Sequence, residues 1–228
     1  MDISKRLGEV AALVSYPTVA DIGTDHGYVP IYLHKKGKVK KALACDVRKG
    51  PLEKAKENIL LYQVQDDIET RLGSGLVPVK PGEVETGVIA GMGGMLTVRI
   101  LKDSPEVVAS LKELILAPQH DVDEVRRYLH SIGFRIETEH MMKEDGKYYN
   151  IMRCIPGEER YPREIDYLYG AKLLMHKEPL LKEILTSEEK KYQVVEEKLI
   201  QSDTDNAKER LVQVQEKLRL MREALVCL

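Results

Sequence analysis

Two carboxylates and two glycines fall within the seven residues Asp21-Ile-Gly23-Thr24-Asp25-His26-Gly27. The stretch leaves a β-rich segment and enters a helical pattern, and that strand-to-helix turn is where doubly wound α/β folds bind their ligands. Glycines at 23 and 27 let the backbone approach a ligand, and the turn is expected to present amide groups at a helix N-terminus. A dinucleotide site would call for Gly-x-Gly-x-x-Gly with a pyrophosphate against it. Asp21 and Asp25 oppose that: two like unit charges about 4 Å apart repel by roughly 4 kcal/mol at an effective dielectric of about 20. A ligand carrying an ammonium and a sulfonium reverses the sign. The loop therefore selects S-adenosylmethionine over NAD, with Asp21, Gly23, Thr24 and Gly27 as cofactor-binding candidates.

Three further loops fit the same cofactor. Asp46 follows Gly23 by 23 residues and ends an apolar run, the offset at which a carboxylate accepts ribose hydroxyls. Val47 goes with it, and a helix-capping Asp is the alternative. Arg71-Leu-Gly73-Ser74-Gly75 offers amides and a hydroxyl to an adenine ring, unless it is a plain turn. Gly91-Met92-Gly93-Gly94 has three glycines in four residues, so backbone must pass close to something. It holds no side chain able to hydrogen-bond, which leaves the carbonyls of Gly91 and Met92 as polar groups, and Gly91 is also a cofactor contact candidate.

These loops need a scaffold. Apolar, β-rich runs occur at Thr18–Ile22, Val39–Cys45, Ile68–Leu72, Thr86–Ala90, Leu114–Ala117, Phe134–Met141 and Tyr148–Ile155. Helical patterns at Val29–Lys36, Pro51–Tyr62, Met95–Lys102 and Asp121–Ser131 separate most of them, after a first helix capped by Ser4. Such alternation predicts an α/β, Rossmann-like parallel sheet. The last two strands are joined by the turn Lys143-Glu-Asp-Gly146 and should pair as a terminal antiparallel hairpin. Beyond Gly157 only helical periodicity remains. Tyr192, Val195, Leu199, then Leu211, Val214, Leu218, Met221 and Leu225 form a heptad seam broken by Ser202–Asn206. The expected organisation is residues 1–157 as the sheet domain and 158–228 as an all-α coiled-coil arm.

Composition narrows the classes. The chain has 228 residues, 43% hydrophobic and 32% charged, and no run approaches the ~20 apolar residues of a membrane span. The start Met-Asp-Ile-Ser-Lys-Arg lacks a signal-peptide layout, so a cytoplasmic location is expected. Cys45, Cys154 and Cys227 are far apart and form no Cys-x-x-Cys pair, so they imply no metal site. A net charge of −2 does not favour nucleic acid. However, Lys35, Lys36, Lys38, Lys40 and Lys41 crowd together, and Arg126-Arg127 share an expected helix. Each is either a basic patch or an ordinary solvated face.

Taken together, Asp21-Ile-Gly-Thr-Asp-His-Gly-Tyr-Val-Pro30, Asp46–Asn58, Arg71–Leu76 and Ala90–Gly94 resemble the bacterial tRNA adenine-N1-methyltransferases of the TrmK type over about residues 1–155. The resemblance implies a class I methyltransferase sheet, S-adenosylmethionine as methyl donor, tRNA as partner, and methylation of adenine 22 in the D-arm. The chain departs from the family after the fifth strand, where Ala117-Pro118-Gln119-His120 stands in place of a Gln-Pro-Asn-like tripeptide. Adenine N1 already carries a lone pair, so positioning should dominate, with negative potential wanted on the base side. The catalytic candidates are Asp25, His26, Gly91 and Met92. Tyr28, Lys147, Tyr148, Tyr149 and Asn150 are candidates for holding an extruded base, while His26 and the tyrosines could equally be structural. The rival readings are a methyltransferase of a small molecule or protein, and a non-catalytic RNA-binding protein. Oligomeric state is left open, with a monomer as the expectation.

Overall fold

The computed structural model describes all 228 residues. The chain forms two compact units, Met1–Glu159 and Arg160–Leu228. In the first unit, helix α1 (Lys5–Leu13) precedes strand β1 (Thr18–Ile22), α2 (Tyr28–Lys35), β2 (Lys41–Asp46), α3 (Lys49–Leu61) and β3 (Ile68–Leu72). The second half runs β4 (Thr86–Ala90), α4 (Gly94–Lys102), α5 (Pro105–Ser110), β5 (Glu113–Ala117), α6 (Val122–Ser131), β6 (Phe134–Glu144) and β7 (Lys147–Pro156).

The seven strands lie in the order β3-β2-β1-β4-β5-β7-β6. β1 to β5 are parallel, while β7 runs antiparallel to both β5 and β6. The order reverses between β1 and β4, and doubly wound sheets open their ligand crevice at the carboxyl ends of such strands. Strand side chains alternate between two cores. Val19, Ile115 and Ala117 pack with Val10, Ile31, Leu33 and Ile59 from α1 to α3. Ala20, Ile22, Leu114 and Leu116 pack with Val98, Leu101, Val108, Val125 and Leu129 from α4 to α6. Both faces of β1, β2, β4 and β5 are thereby dry, which is why those segments read as continuous apolar runs, whereas the edge strand β3 buries only Ile68.

The hairpin turn is tighter than the sequence suggested. Only Asp145-Gly146 lie outside the strands, both at positive φ (50° and 75°), and Glu144 pairs with Lys147. That is the two-residue turn whose twist matches the flanking strands. Helix α5, unforeseen, is six residues long and too short to show a period. Ser4 accepts the Leu7 amide as foreseen for the first helix.

The second unit holds α7 (Glu164–Tyr169), α8 (Ala171–Met175), α9 (Pro179–Ile200) and α10 (Asp205–Cys227). Lys217 donates to the Tyr192 hydroxyl at 2.7 Å and Arg222 to Glu189 at 2.8 Å, so α9 and α10 run antiparallel. The seam is dry only in part. Val214, Leu218, Met221 and Ala224 are buried on α10, opposite Leu181 and Leu185 on α9. Val195, by contrast, is exposed, and Tyr192, Leu199, Leu211 and Leu225 are half-buried. No helix is long and apolar enough to cross a membrane.

The basic patches are largely committed to the fold. Lys38 donates to the Ala11 and Ala12 carbonyls at the end of α1, and Lys41 pairs with Asp67 at 2.9 Å. Arg126 is no surface cation: it is 1% exposed, and its Nε and Nη2 both donate to Oε1 of the buried Glu139. Removing one member of such a pair strands a buried charge, a loss of about 3–5 kcal/mol. Arg126→Met is therefore expected to lower unfolding stability by that amount in urea titrations. Arg126→Met combined with Glu139→Leu should recover most of it, and a single variant losing less than about 1 kcal/mol would contradict the assignment.

Candidate functional site

A cleft of about 420 Å³ opens at the carboxyl edge of β1, β2 and β4, a size suited to a nucleoside-type ligand. Its floor is the turn after β1. The amides of Gly23 and Thr24 both donate to the Cys45 carbonyl, at 2.8 and 2.9 Å, and those of Asp25 and Gly27 close onto the Gly23 and Thr24 carbonyls. This corrects the expectation that the turn presents its amides to a ligand: β2 lies beside the turn and takes two of them. Four of the turn's amides are thus taken inside the fold, and the charged groups at this end of the cleft are the carboxylates of Asp21 and Asp25, which suit a cation and not a pyrophosphate. Gly23 sits at φ 76°, a left-handed backbone that favours glycine, and the tip of the flexible Met92 side chain, Cε, fills the space a β-carbon would take, 2.3 Å from it.

Asp21 is 6% exposed, and burial raises its carboxyl from 3.8 to about 6, with Asp46 adding to the rise and the Thr24 hydroxyl opposing it. Asp25 lines the cleft with a largely exposed side chain. His26 adopts φ 64°, its carbonyl accepts Asn58 Nδ2 at 2.9 Å, and its ring stacks on Tyr28 with centroids 5.2 Å apart and planes 5° from parallel. Its Nε2 is 3.5 Å from Asp25 Oδ1. Asp46 is buried, lines the cleft, and accepts the Arg48 amide through Oδ1 at 2.8 Å. It thus shapes the entrance to α3, as a capping acid would, while facing the cleft. Burial pushes the Cys45 thiol up to about 12, so the cleft holds no nucleophilic sulfur.

The Gly91–Gly94 loop is zipped to the β5–α6 connection. Gly91 donates to the Ala117 carbonyl, Gln119 to the Met92 carbonyl and Gly94 to the His120 carbonyl, at 3.1, 2.9 and 2.9 Å. A β-carbon on Gly93 would lie 2.5 Å from the His120 ring, and one on Gly94 would lie 2.2 Å from the Asp121 carbonyl. Gly94 is therefore required by the neighbouring backbone, whereas the His120 ring over Gly93 is an exposed side chain that can turn aside, and the Met92 carbonyl already holds one hydrogen bond.

The cleft gathers Gly23, Asp25, Asp46, Val47, Gly73, Ser74, Gly91 and Met92 along its wall. Asp21, Thr24, His26, Gly27 and Tyr28 are not on its wall, and the stacked rings of His26 and Tyr28 form a two-ring shelf just after Asp25 in the chain. Met152 on β7 pairs with Leu116 on the antiparallel β5, so Lys147, Tyr148, Tyr149 and Asn150 project past the carboxyl edge on the cleft's side of the sheet. Tyr149 lies under Arg6, 5.3 Å from guanidinium carbon to ring centroid, and Tyr148 accepts from Lys143 at 2.9 Å. The cleft also contains Arg6, Arg48, Leu96, Ile100 and Gln119, none of them singled out by sequence. Arg6 stands on a helix that reads as ordinary amphipathic packing, and nothing in its spacing pointed to the site.

The methyltransferase-domain family model matches residues 3–152. A curated tRNA (adenine(22)-N(1))-methyltransferase of Bacillus subtilis is 29% identical over 232 residues, covering 99% of this chain and 98% of that one. A crystal structure from Streptococcus pneumoniae, described as a candidate tRNA (m1A22) methyltransferase, is 33% identical with a TM-score of 0.90 over 98% of this chain and all of that one. A second structure of that protein, in complex with S-adenosyl-L-methionine, is 31% identical with a TM-score of 0.88 over the same shares.

With the Asp21 carboxyl at about 6, ionising it costs the folded state up to about 3 kcal/mol. Its contribution favours the fold below the ordinary carboxylate range and is lost as pH rises through about 6. Asp21→Asn should therefore melt higher than the parent at about pH 8, with the advantage gone by about pH 4. Equal melting temperatures across that range would mean that the ionised carboxylate is held by partners and not merely desolvated.

Proposed function

We propose that this chain, which belongs to the methyltransferase family and within it to the tRNA (adenine(22)-N1)-methyltransferases, methylates N1 of adenine 22 in the tRNA D-arm from S-adenosylmethionine. One observation carries the reading: the cleft at the sheet's switch point offers acids where a dinucleotide site would offer amides. Relatives that match the full length of the chain, second unit included, carry that activity in their names, and one holds S-adenosyl-L-methionine.

The donor set fits the cofactor. Asp46 receives the ribose hydroxyls, Gly73 and Ser74 meet the adenine, and Val47 covers it. Gly23, Thr24 and Gly27 shape the floor over Asp21, whose carboxylate supplies negative potential beneath the cationic end. When bound, S-adenosylmethionine supplies a methyl group made electrophilic by the sulfonium. Adenine N1 needs no proton removed before it attacks, so the chain's work is to align the two and to exclude water, an effect worth up to ~7–11 kcal/mol in well-oriented systems.

Negative potential on the base side comes from Asp25 and from the carbonyls of Gly91 and Met92. The His26–Tyr28 shelf and the hairpin residues Lys147, Tyr148, Tyr149 and Asn150 receive the extruded base, where each stacking contact is worth ~1–3 kcal/mol. The helical unit from about residue 158 onward grips the tRNA. On this reading the working form is a monomer that meets its tRNA substrate in the cytoplasm.

Incubation of the purified protein with labelled S-adenosylmethionine and unmodified bulk tRNA, followed by nucleoside analysis, should yield N1-methyladenosine. A product of N6-methyladenosine or methylguanosine would sink the assignment. Asp46→Ala should weaken S-adenosylhomocysteine binding by roughly 1.5–3 kcal/mol in calorimetry, the range for hydrogen bonds to a charged acceptor. Asp25→Asn should slow single-turnover methylation with tRNA affinity nearly unchanged, the pattern of an interaction made mainly in the transition state.

A further inference from the structure

The Gly91–Gly94 loop has no polar side chain to offer a base, yet one stands in its place. Gly93 adopts φ −67° and ψ 152°, extended backbone open to every residue, so its torsions do not call for glycine. The imidazole of His120 fills the space of the missing side chain, with Cε1 and Nε2 at 2.5 and 2.6 Å from the point a β-carbon would occupy. The β5–α6 connection thus supplies the side chain that the β4 loop lacks.

That ring is oriented. Asp121 Oδ2 lies 2.7 Å from His120 Nδ1, and a carboxylate only accepts, so Nδ1 carries the proton and Nε2 presents a lone pair. Nε2 sits on the ring edge turned toward Gly93 and takes no hydrogen bond from the chain. Backbone fixes the mount: the Gln119 amide donates to the Met92 carbonyl and the Gly94 amide to the His120 carbonyl, each at 2.9 Å. Asp121 holds φ 52°, a left-handed conformation in which Asp is among the better tolerated side chains. Gln119 and Met92, the neighbours on the two loops, line the cleft, so the ring stands one residue outside its wall. With its side chain 66% exposed, it is open to a substrate.

We propose that His120, oriented by Asp121, accepts the exocyclic N6–H of the target adenine. The inference rests on the adenine-N1 reading of the cleft and names the group that meets the base's amino edge. N6 is bonded to the carbon beside N1, so a base with N1 at the Gly91–Met92 edge has its amino group within reach of the next residue outward. Methylation places positive charge on the ring and makes N6–H a stronger donor, so the contact tightens in the transition state, where it accelerates. No proton has to leave. Guanine carries an oxygen where adenine carries N6, and its lone pairs would face that of Nε2, so the same contact selects adenine. A phosphate, also an acceptor, gains nothing from this tautomer. His120 is then a catalytic residue and Asp121 a positioning residue.

Single-turnover methylation by the full chain tests this with two tRNAs, one bearing adenine at position 22 and one bearing purine there, which lacks only the amino group. His120→Ala should slow the adenine tRNA about 10- to 100-fold with S-adenosylhomocysteine and tRNA affinities nearly unchanged, while the purine tRNA reacts as it does with the parent. His120→Gln, whose side-chain oxygen accepts, should recover part of the loss. Asp121→Asn lets an amide N–H meet the ring and reverse its tautomer, so it should lose part of the rate on the adenine tRNA and none on the purine tRNA, whereas a merely structural role would slow both. Equal slowing of both tRNAs, or an unslowed His120→Ala, would overturn the proposal. So would weakened tRNA binding with an unchanged rate once bound, which would assign His120 to the RNA backbone. A parent that binds S-adenosylhomocysteine but methylates no adenine would bring down the adenine reading and this proposal with it, whereas the other failures leave that reading standing.

Discussion

The Cys45 carbonyl accepts the amide hydrogens of both Gly23 and Thr24, and the character of the cleft follows from that fork. In a phosphate-binding turn the same two amides would point outward at an anion. Drawn onto β2, they tie the loop rigidly to its neighbouring strand and leave the turn's carboxylates as its outward chemistry. The ligand preference is thus set by hydrogen-bond accounting in the backbone before any side chain is considered, and Asp21 and Asp25 then reinforce it. The fork also explains why the turn tolerates left-handed backbone at Gly23, His26 and Gly27 within five residues, since β2 on one side and Asn58 on the other hold it in place.

Holding that much negative charge in one place has a cost, which appears at Asp21. Its carboxyl sits at about 6, lifted chiefly by burial and further by Asp46. An acid held near the edge of ionisation is one whose charge a cationic ligand can stabilise. The strain is not distributed over the cleft: Asp25 is open to solvent, and Asp46 is held by the Arg48 amide. The buried pair of Arg126 and Glu139 solves a similar problem on α6 and β6 by pairing within the core, which is why that arginine is unavailable to RNA.

The sheet was legible because its central strands β1, β2, β4 and β5 are buried on both faces and most of its parallel strands are separated by helices, so both period and composition announce them. Asp46, Gly73 and Gly91 were legible because a switch-point fold brings the ends of β2, β3 and β4 to one place. Arg6 was not, since it reaches the cleft from a helix whose pattern speaks only of its packed face, and its placement depends on Glu144, which lies 138 residues away. The direction of the turn's amides was misread for a related reason: the Cys45 carbonyl that takes them belongs to another strand. Arg126 looked like half of a surface pair because its buried partner lies on β6. In the arm, the heptad spacing is present from Tyr192 onward, yet only its lower part is dry, and periodicity alone does not say where two helices part.

Glycines crowd the β4 loop for a reason that bears on its neighbour. Three backbone hydrogen bonds hold Gly91–Gly94 against Ala117–His120, at a distance that leaves no room for a β-carbon on Gly94. The two loops are therefore one structural unit, and a change in the second must be read through the first. Gln119 enters the cleft beside Gly91 because its own amide is fastened to Met92, so its position is dictated by the backbone register and not by its amide side chain. Where the family pattern places a different tripeptide after β5, this chain keeps the register that the zipper requires and changes what the register displays. Variation there should alter which polar groups face the reacting base more than it alters the ribose and adenine side, because Asp46 and Gly73 hang from β2 and β3, which the zipper does not touch.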